Sequence, residues 1–239
     1  MNQPTGIGGR VGKSSSMKTA RIPRKRGSIS LEAAVDAALV IIDAEGLDAL
    51  SIRRLAGHLG VGAMTLYTYF ENKDQLLDQV AVRVLGKIRE RVPAHGTWQS
   101  RLTRTMKRLH VAMREHPGVG ALSLSRHGPI AALDPFRESI LAILCDAGFP
   151  IRDAVNALTA LVTYVIGYTI VELARTDARI DQERARLAAL PKNEFPNLAA
   201  AADHYASQFS QRAFDSGLRS LIDGLAAELA ALPRNRSGI

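Results

Sequence analysis

The 239-residue chain has one cysteine, one tryptophan and only 5% aromatic residues. A lone thiol excludes an internal disulfide framework and any cage of cysteines around a metal. Cys145 lies in the apolar run Ile140-Leu-Ala-Ile-Leu-Cys and is expected to be a small core residue in a protein of the reducing cytosol. No apolar run approaches the roughly 18 residues that a membrane span needs, and the basic N-terminus lacks the apolar segment of a signal peptide. A cytoplasmic location without a membrane partner is therefore expected. Also missing are a glycine-rich phosphate loop, a Ser-His-Asp set and a pair of carboxylates placed for acid–base work. The six histidines (His58, His95, His110, His116, His127 and His204) show neither two-ligand helical spacing nor a cysteine partner. Catalysis, metal binding and a bound cofactor are not expected. No alternating apolar–polar stretch of strand type occurs either, so the fold class expected is all-α.

What the chain does have is positive charge in one place. The formal net charge is +8, which points to a polyanionic partner. Seven cations and no acid precede Ser28, which leaves the folded body nearly neutral. Residues 1–27 are rich in Gly, Ser, Lys and Arg without hydrophobic period and are expected to be a disordered basic arm. Arg24, Lys25 and Arg26 at its end can reach a phosphate backbone or a minor groove.

From Ser30 the apolar residues take helical spacing. Ser30 caps a first helix with Leu31, Ala34, Val35, Ala38, Ile41 and Ile42 on one face, ended by Gly46. Ser51 caps a second, with Leu50 and Leu55 spaced as a hydrophobic staple. Gly60 follows, where a left-handed backbone costs glycine least. Gly62 or Ala63 opens a third helix, Met64–Phe70, with Leu66 and Phe70 inward and Thr65, Tyr67, Thr68 and Tyr69 outward. An outer face of hydroxyls and phenols without carboxylates suits phosphates and base edges. This is a helix-turn-helix plan whose recognition helix follows the turn. Asn72 and Gln75 have capping-box spacing at the start of a fourth helix. Its apolar face (Leu76, Leu77, Val80, Ala81, Val84, Leu85 and Ile88) makes it long enough to join the reader to the rest.

The remainder is expected to be helical, apart from a loop or partly ordered link at Asp177–Leu198. Helices are expected from Thr97, over Ala131–Ala147, over Ile151–Thr176 and over Ala202–Leu232. The domain reading is a disordered arm at 1–27, a DNA-binding domain at 28–91 and an effector-binding and dimerisation domain at 92–239. In the central helix Tyr164, Tyr168 and Glu172 step by four, with Asn156, Thr159 and Thr163 close to a second face. Polar groups in an apolar helix must be satisfied, and a ligand, ordinary core hydrogen bonds or a partner helix can each do so. Arg126 and His127 on the turn Ser125–Pro129 can rim such a pocket.

The run Ala37-Ala38…Ile42…Gly46-Leu47-Asp48-Ala49-Leu50-Ser51-Ile52-Arg53-Arg54-Leu55-Ala56, then Leu59-Gly60-Val61…Thr65-Leu66-Tyr67…Phe70…Asn72-Lys73…Leu76-Leu77, resembles the TetR family of transcriptional repressors. More loosely, His116-Pro117-Gly118, Ala147-Gly148-Phe149 and Tyr164–Glu172 resemble the C-terminal domain of the tetracycline-repressor subgroup. The resemblance implies a homodimer on the double-stranded DNA of a palindromic operator, with a C-terminal domain holding a small-molecule effector. It also implies that Arg53, Thr65, Tyr67, Tyr69 and Lys73 touch DNA. Gly62, Ala63 and Met64 depart from the more polar residues usual there, which leaves Ala63 and Met64 apolar contact with thymine methyls. Tetracycline-binding members use a His and a Glu around a magnesium-bound drug; no matching His aligns here, so tetracycline is not implied. The rival expectation is an all-α small-molecule binding protein or enzyme whose N-terminal helices merely pack.

Overall fold

A computed structural model describes residues 29–89, 92, 94–125 and 131–232. Arg24, Lys25, Arg26, Arg126 and His127, named above, lie outside the described residues.

The N-terminal unit forms as its caps dictate. Helix α1 (Leu31–Glu45) opens with the Ser30 hydroxyl accepting from the Ala33 amide at 3.1 Å. Helix α2 (Ile52–Leu59) opens with Ser51 accepting from Arg54 at 3.1 Å, and Gly60 ends it with φ +70°. Helix α3 is Ala63–Tyr67. It stops short of the expected Phe70 because the Thr68 hydroxyl donates to the Thr65 carbonyl at 2.7 Å and both Tyr69 and Phe70 amides turn onto Leu66. Leu50, Leu55, Leu66 and Phe70 are all sealed from water. Burial contributes about 1.5–3 kcal/mol for each such side chain, enough to hold the two short helices at one angle. Helix α4 (Lys73–Arg89) starts where Asn72 Oδ1 accepts from the Gln75 amide at 2.9 Å. Gln75 answers by accepting from Glu71, one residue earlier than a standard capping box.

The rest is helical too. Helices α5 (Trp98–Glu115), α6 (Pro117–Ser125), α7 (Asp134–Asp146) and α8 (Ile151–Leu173) follow, with a 3-10 turn at Ala131–Leu133 before α7. Then come α9 (Asp177–Ala188), α10 (Pro196–Ala200), α11 (Ala202–Ala206) and α12 (Gln211–Ala231). Helix α4 packs against α1 on one side and against α5, α6 and α7 on the other. Helix α8 lies between α5, α7 and α12. The buried side chains form one core running from Ala34 in α1 to Ile222 in α12.

Four expectations are corrected. Asp177–Leu198 is not a link: Thr176 caps α9, Arg186 grips Glu183 one turn away, and Leu187 is buried. Ala202–Leu232 is two helices, because Ser210 starts a new cap on Ala213 and Phe209 turns in against Tyr168 at 5.1 Å. Cys145 is exposed, one helical step round from the buried pair Ile143 and Leu144. Finally, α8 is by length and composition apolar enough to cross a membrane, contrary to the expectation that no run approaches that length. Its inward face is core, however, and Glu172 within it meets a buried histidine.

Candidate nucleic-acid interface and effector cleft

The reader's outer face takes its shape from short elements. Met64 is 77% exposed and Tyr67 50% exposed, so neither is a core residue. Arg53 and Thr68 are exposed and Ala63 and Thr65 half-buried on the same short elements, with Gly62 exposed at the start of α3. Arg54 is held away in an ion pair with Glu45 at the end of α1. Tyr69 departs from the outward position expected of it. Since α3 has ended at Tyr67, the half-buried Tyr69 ring tilts against Phe70 and its hydroxyl donates to the Ile29 carbonyl. Lys73 donates to the Leu47 carbonyl at 3.2 Å, tying the start of α4 to the turn before α2. The surface combines the Arg53 guanidinium, which makes no ion pair among the described residues, with hydroxyls and small apolar groups, which fits a phosphate backbone with a few base-edge contacts.

The second site is an apolar cleft of about 290 Å³ between α4, α5, α6, α7 and α8. Its walls include Ala81, Leu85, Leu109, Met113, Phe136 and Val162. Thr159, Thr163 and Arg137 bring the polar groups, with Arg137 also 3.2 Å from Asp134. Of the six polar residues singled out along α8, the structure brings only Thr159 and Thr163 to this cleft; Asn156 is exposed elsewhere.

Tyr164, Tyr168 and Glu172 lie on the other side of α8, as core hydrogen-bonding groups. The Tyr164 hydroxyl donates to the Phe214 carbonyl at 2.9 Å, and that of Tyr168 to Ser210 at 2.8 Å. Burial pushes the Tyr168 phenol up to about 12, with Tyr164 and Glu172 adding to the rise, so both phenols stay protonated donors. Glu172 meets the buried His110 Nε2 at 2.8 Å and Arg114 at 3.7 Å. His110 also stacks on Phe214 with centroids 3.9 Å apart. Sequence reasoning missed Arg137, because a cation on an amphipathic helix looks like solvated surface. Phe136 and Met113 are buried core residues that also line the cleft, and a cleft wall and a core wall have the same periodicity.

A short path joins the two sites. His116 at the end of α5 meets Asp43 of α1 at 2.7 Å. At Gly118, in the first turn of α6, a methyl group would lie 2.0 Å from Cγ2 of Ile42. Arg83 of α4 grips Asp36 of α1 through two bonds of 2.8 and 2.9 Å.

A helix-turn-helix head on a helical body with an apolar cleft defines a DNA-binding regulator. Residues 34–80 match the model of bacterial regulatory proteins of the tetR family, and residues 92–229 match the tetracyclin repressor-like C-terminal domain. The chain belongs to the TetR family. It is 32% identical over 206 residues to the tetracycline repressor protein class D of Escherichia coli, across 85% of this chain and 92% of that one. Apo ActR of Streptomyces coelicolor is similar in structure, with a TM-score of 0.75 and 31% identity over 86% of this chain and 99% of that one. ActR in complex with actinorhodin is similar at a TM-score of 0.73 and 32% identity over 84% of this chain and 96% of that one. Relatives named as regulators point away from an enzyme, so the catalytic alternative is not favoured.

Proposed function

We propose that the chain is a homodimeric, cytoplasmic repressor which a small apolar effector releases from a palindromic operator. The course of α4 carries this reading. It begins at Lys73, three residues beyond Phe70 of the reader, and lines the cleft at Ala81 and Leu85. An effector entering the cleft wedges α4 and α6, and the contacts of both with α1 pass that displacement to α3. In a dimer, the distance between two recognition elements must match a helical turn of DNA or a multiple of it. Effector and operator affinities are then reciprocally coupled.

Arg53 is the candidate for a bidentate guanine or phosphate contact. Thr65, Tyr67 and Thr68 offer hydroxyls, and Ala63 and Met64 offer methyl surface to thymine. Gly62 lets the backbone come close. Tyr69 and Lys73 support the reader from behind, and the arm at Arg24, Lys25 and Arg26 adds charge. The domain limits 28–91 and 92–239 follow from the same division of labour. For the dimer, α8 leaves Ile151, Val155, Ile170 and Leu173 exposed, and α12 presents Ser216, Ser220, Gly224 and Ala227. Pairing both helices with their copies across a two-fold axis makes a four-helix bundle. The cleft fits a mainly apolar molecule with oxygen atoms near Thr159, Thr163 and Arg137. A relative captured with actinorhodin is consistent with that chemistry.

The test is a gel-shift titration on the chain's own upstream DNA, against random duplex at moderate salt, with and without candidate effectors. Equal affinity for both duplexes rules the reading out.

A further inference from the structure

A second groove, of about 320 Å³, runs between α4 and α5, with lining residues distinct from those of the effector cleft. Its floor is apolar, made by Val84, Ile88, Val111 and Ala112, and Val111 is half exposed. Two cations stand over it. Arg108 has its Nη1 sealed from solvent with no hydrogen-bond partner, and Lys87 makes no ion pair among the described residues. The other polar neighbours are mostly engaged: Lys107 with Asp215 at 2.8 Å and His116 with Asp43 at 2.7 Å. Glu115 completes the lining.

A buried guanidinium N–H without an acceptor is unfavourable, and a carboxylate is the acceptor whose shape it fits best. An apolar floor beneath two cations selects a molecule with both characters. We propose that this groove binds a small anionic amphiphile, a carboxylate on an apolar body, with the carboxylate on Arg108 and Lys87 and the body along Val84, Ile88 and Val111. The lining residues differ from those of the effector cleft, although α4 and α5 contribute to both. A consequence, resting on the repressor reading, is that the amphiphile is coupled to operator affinity through α4, which also lines the effector cleft. Binding itself does not depend on that reading.

The full chain, labelled at its Ile, Leu and Val methyls, is titrated with sodium octanoate and, in separate arms, with 1-octanol and inorganic phosphate. Octanoate is expected to give saturable shifts at Val84, Ile88 and Val111, with octanol and phosphate at least tenfold weaker. R108M keeps the aliphatic stem and is expected to weaken octanoate about tenfold or more, the scale of losing a charge-assisted fork. V111E changes an exposed side chain, leaves folding intact and is expected to abolish octanoate binding by like charge. Shifts confined to Leu133, Val162 and Ile166 of the effector cleft would overturn the proposal. So would equal affinity for octanol or phosphate, or binding that survives both substitutions.

Discussion

Gly118→Ala is the most direct probe of how the body holds the reader. The added methyl would sit 2.0 Å from Ile42 Cγ2, about half a van der Waals contact. Ile42 is almost fully buried and branched at Cβ, so its Cγ2 cannot swing aside as the end of a long side chain would. Either α6 lifts off α1 or the isoleucine leaves its rotamer. Overpacking of this kind costs about 1–3 kcal/mol. Exchanging glycine for alanine in a helix returns at most about 1 kcal/mol, so the net effect is destabilising. For a chain of this size 1 kcal/mol corresponds to roughly 2–4 °C, and a fall in Tm of several degrees is expected. Operator affinity should drop with it, because the contact joins a cleft-lining helix to the reader. The added variant I42A removes the clashing methyl, so the double mutant should be more stable than the sum of the two losses predicts, by about 0.5–3 kcal/mol. Differential scanning fluorimetry and a gel shift measure both quantities. If Gly118→Ala leaves Tm and operator affinity unchanged, the α6–α1 contact has no role in either.

Tyr67→Ala should weaken operator binding while leaving Tm within about 1 °C, since the ring is half exposed; a large loss of Tm would make it a packing residue. Val162→Phe narrows the cleft and should abolish release by effector without lowering operator affinity, read by gel shift with effector present; undiminished release would place the effector elsewhere. Asp215 has its carboxyl held below the usual 3.8, first by the hydrogen bond from Lys107. Its stabilising contribution is therefore present above that value and lost as pH falls through the depressed one. The Tm gap between wild type and Asp215→Asn should be full near neutrality and close in acid; a gap that persists at low pH would contradict this. Deleting residues 1–26 should lower operator affinity and flatten its dependence on salt, and an unchanged slope in a salt titration would make the arm passive.

The head of the molecule was legible because its signals are local. Ser30, Ser51, Gly60 and Asn72 act within one turn of themselves, and Leu66 and Phe70 need only helical spacing to declare their face. Tyr69 was not legible, since its direction depends on where α3 ends, and the Thr68 hydroxyl decides that. The α9 segment looked like a link because its charges outnumber its apolar residues; its ion pairs lie within the helix, and it packs against α10 and α11, which follow it in the chain. In the body, Tyr164, Tyr168 and Glu172 were rightly seen as polar groups needing partners. Whether those partners were a ligand or the chain itself depended on where α12 lies, and periodicity in α8 says nothing of that.

The two phenols on α8 bond to backbone carbonyls of the Ser210–Phe214 stretch, not to side chains there. Gly217 leaves room for the same ring, since a methyl on it would lie 2.3 Å from the Tyr164 hydroxyl. The alignment of α12 along α8 is thus set by main-chain atoms that most substitutions leave in place, on the side of α8 away from the cleft. A biosensor designer can rebuild Thr159, Val162, Thr163 and Ile166 to accept a new molecule while leaving that alignment alone. Ligand choice and helix registration are separable in this chain, and a library varied only at the cleft keeps the second intact.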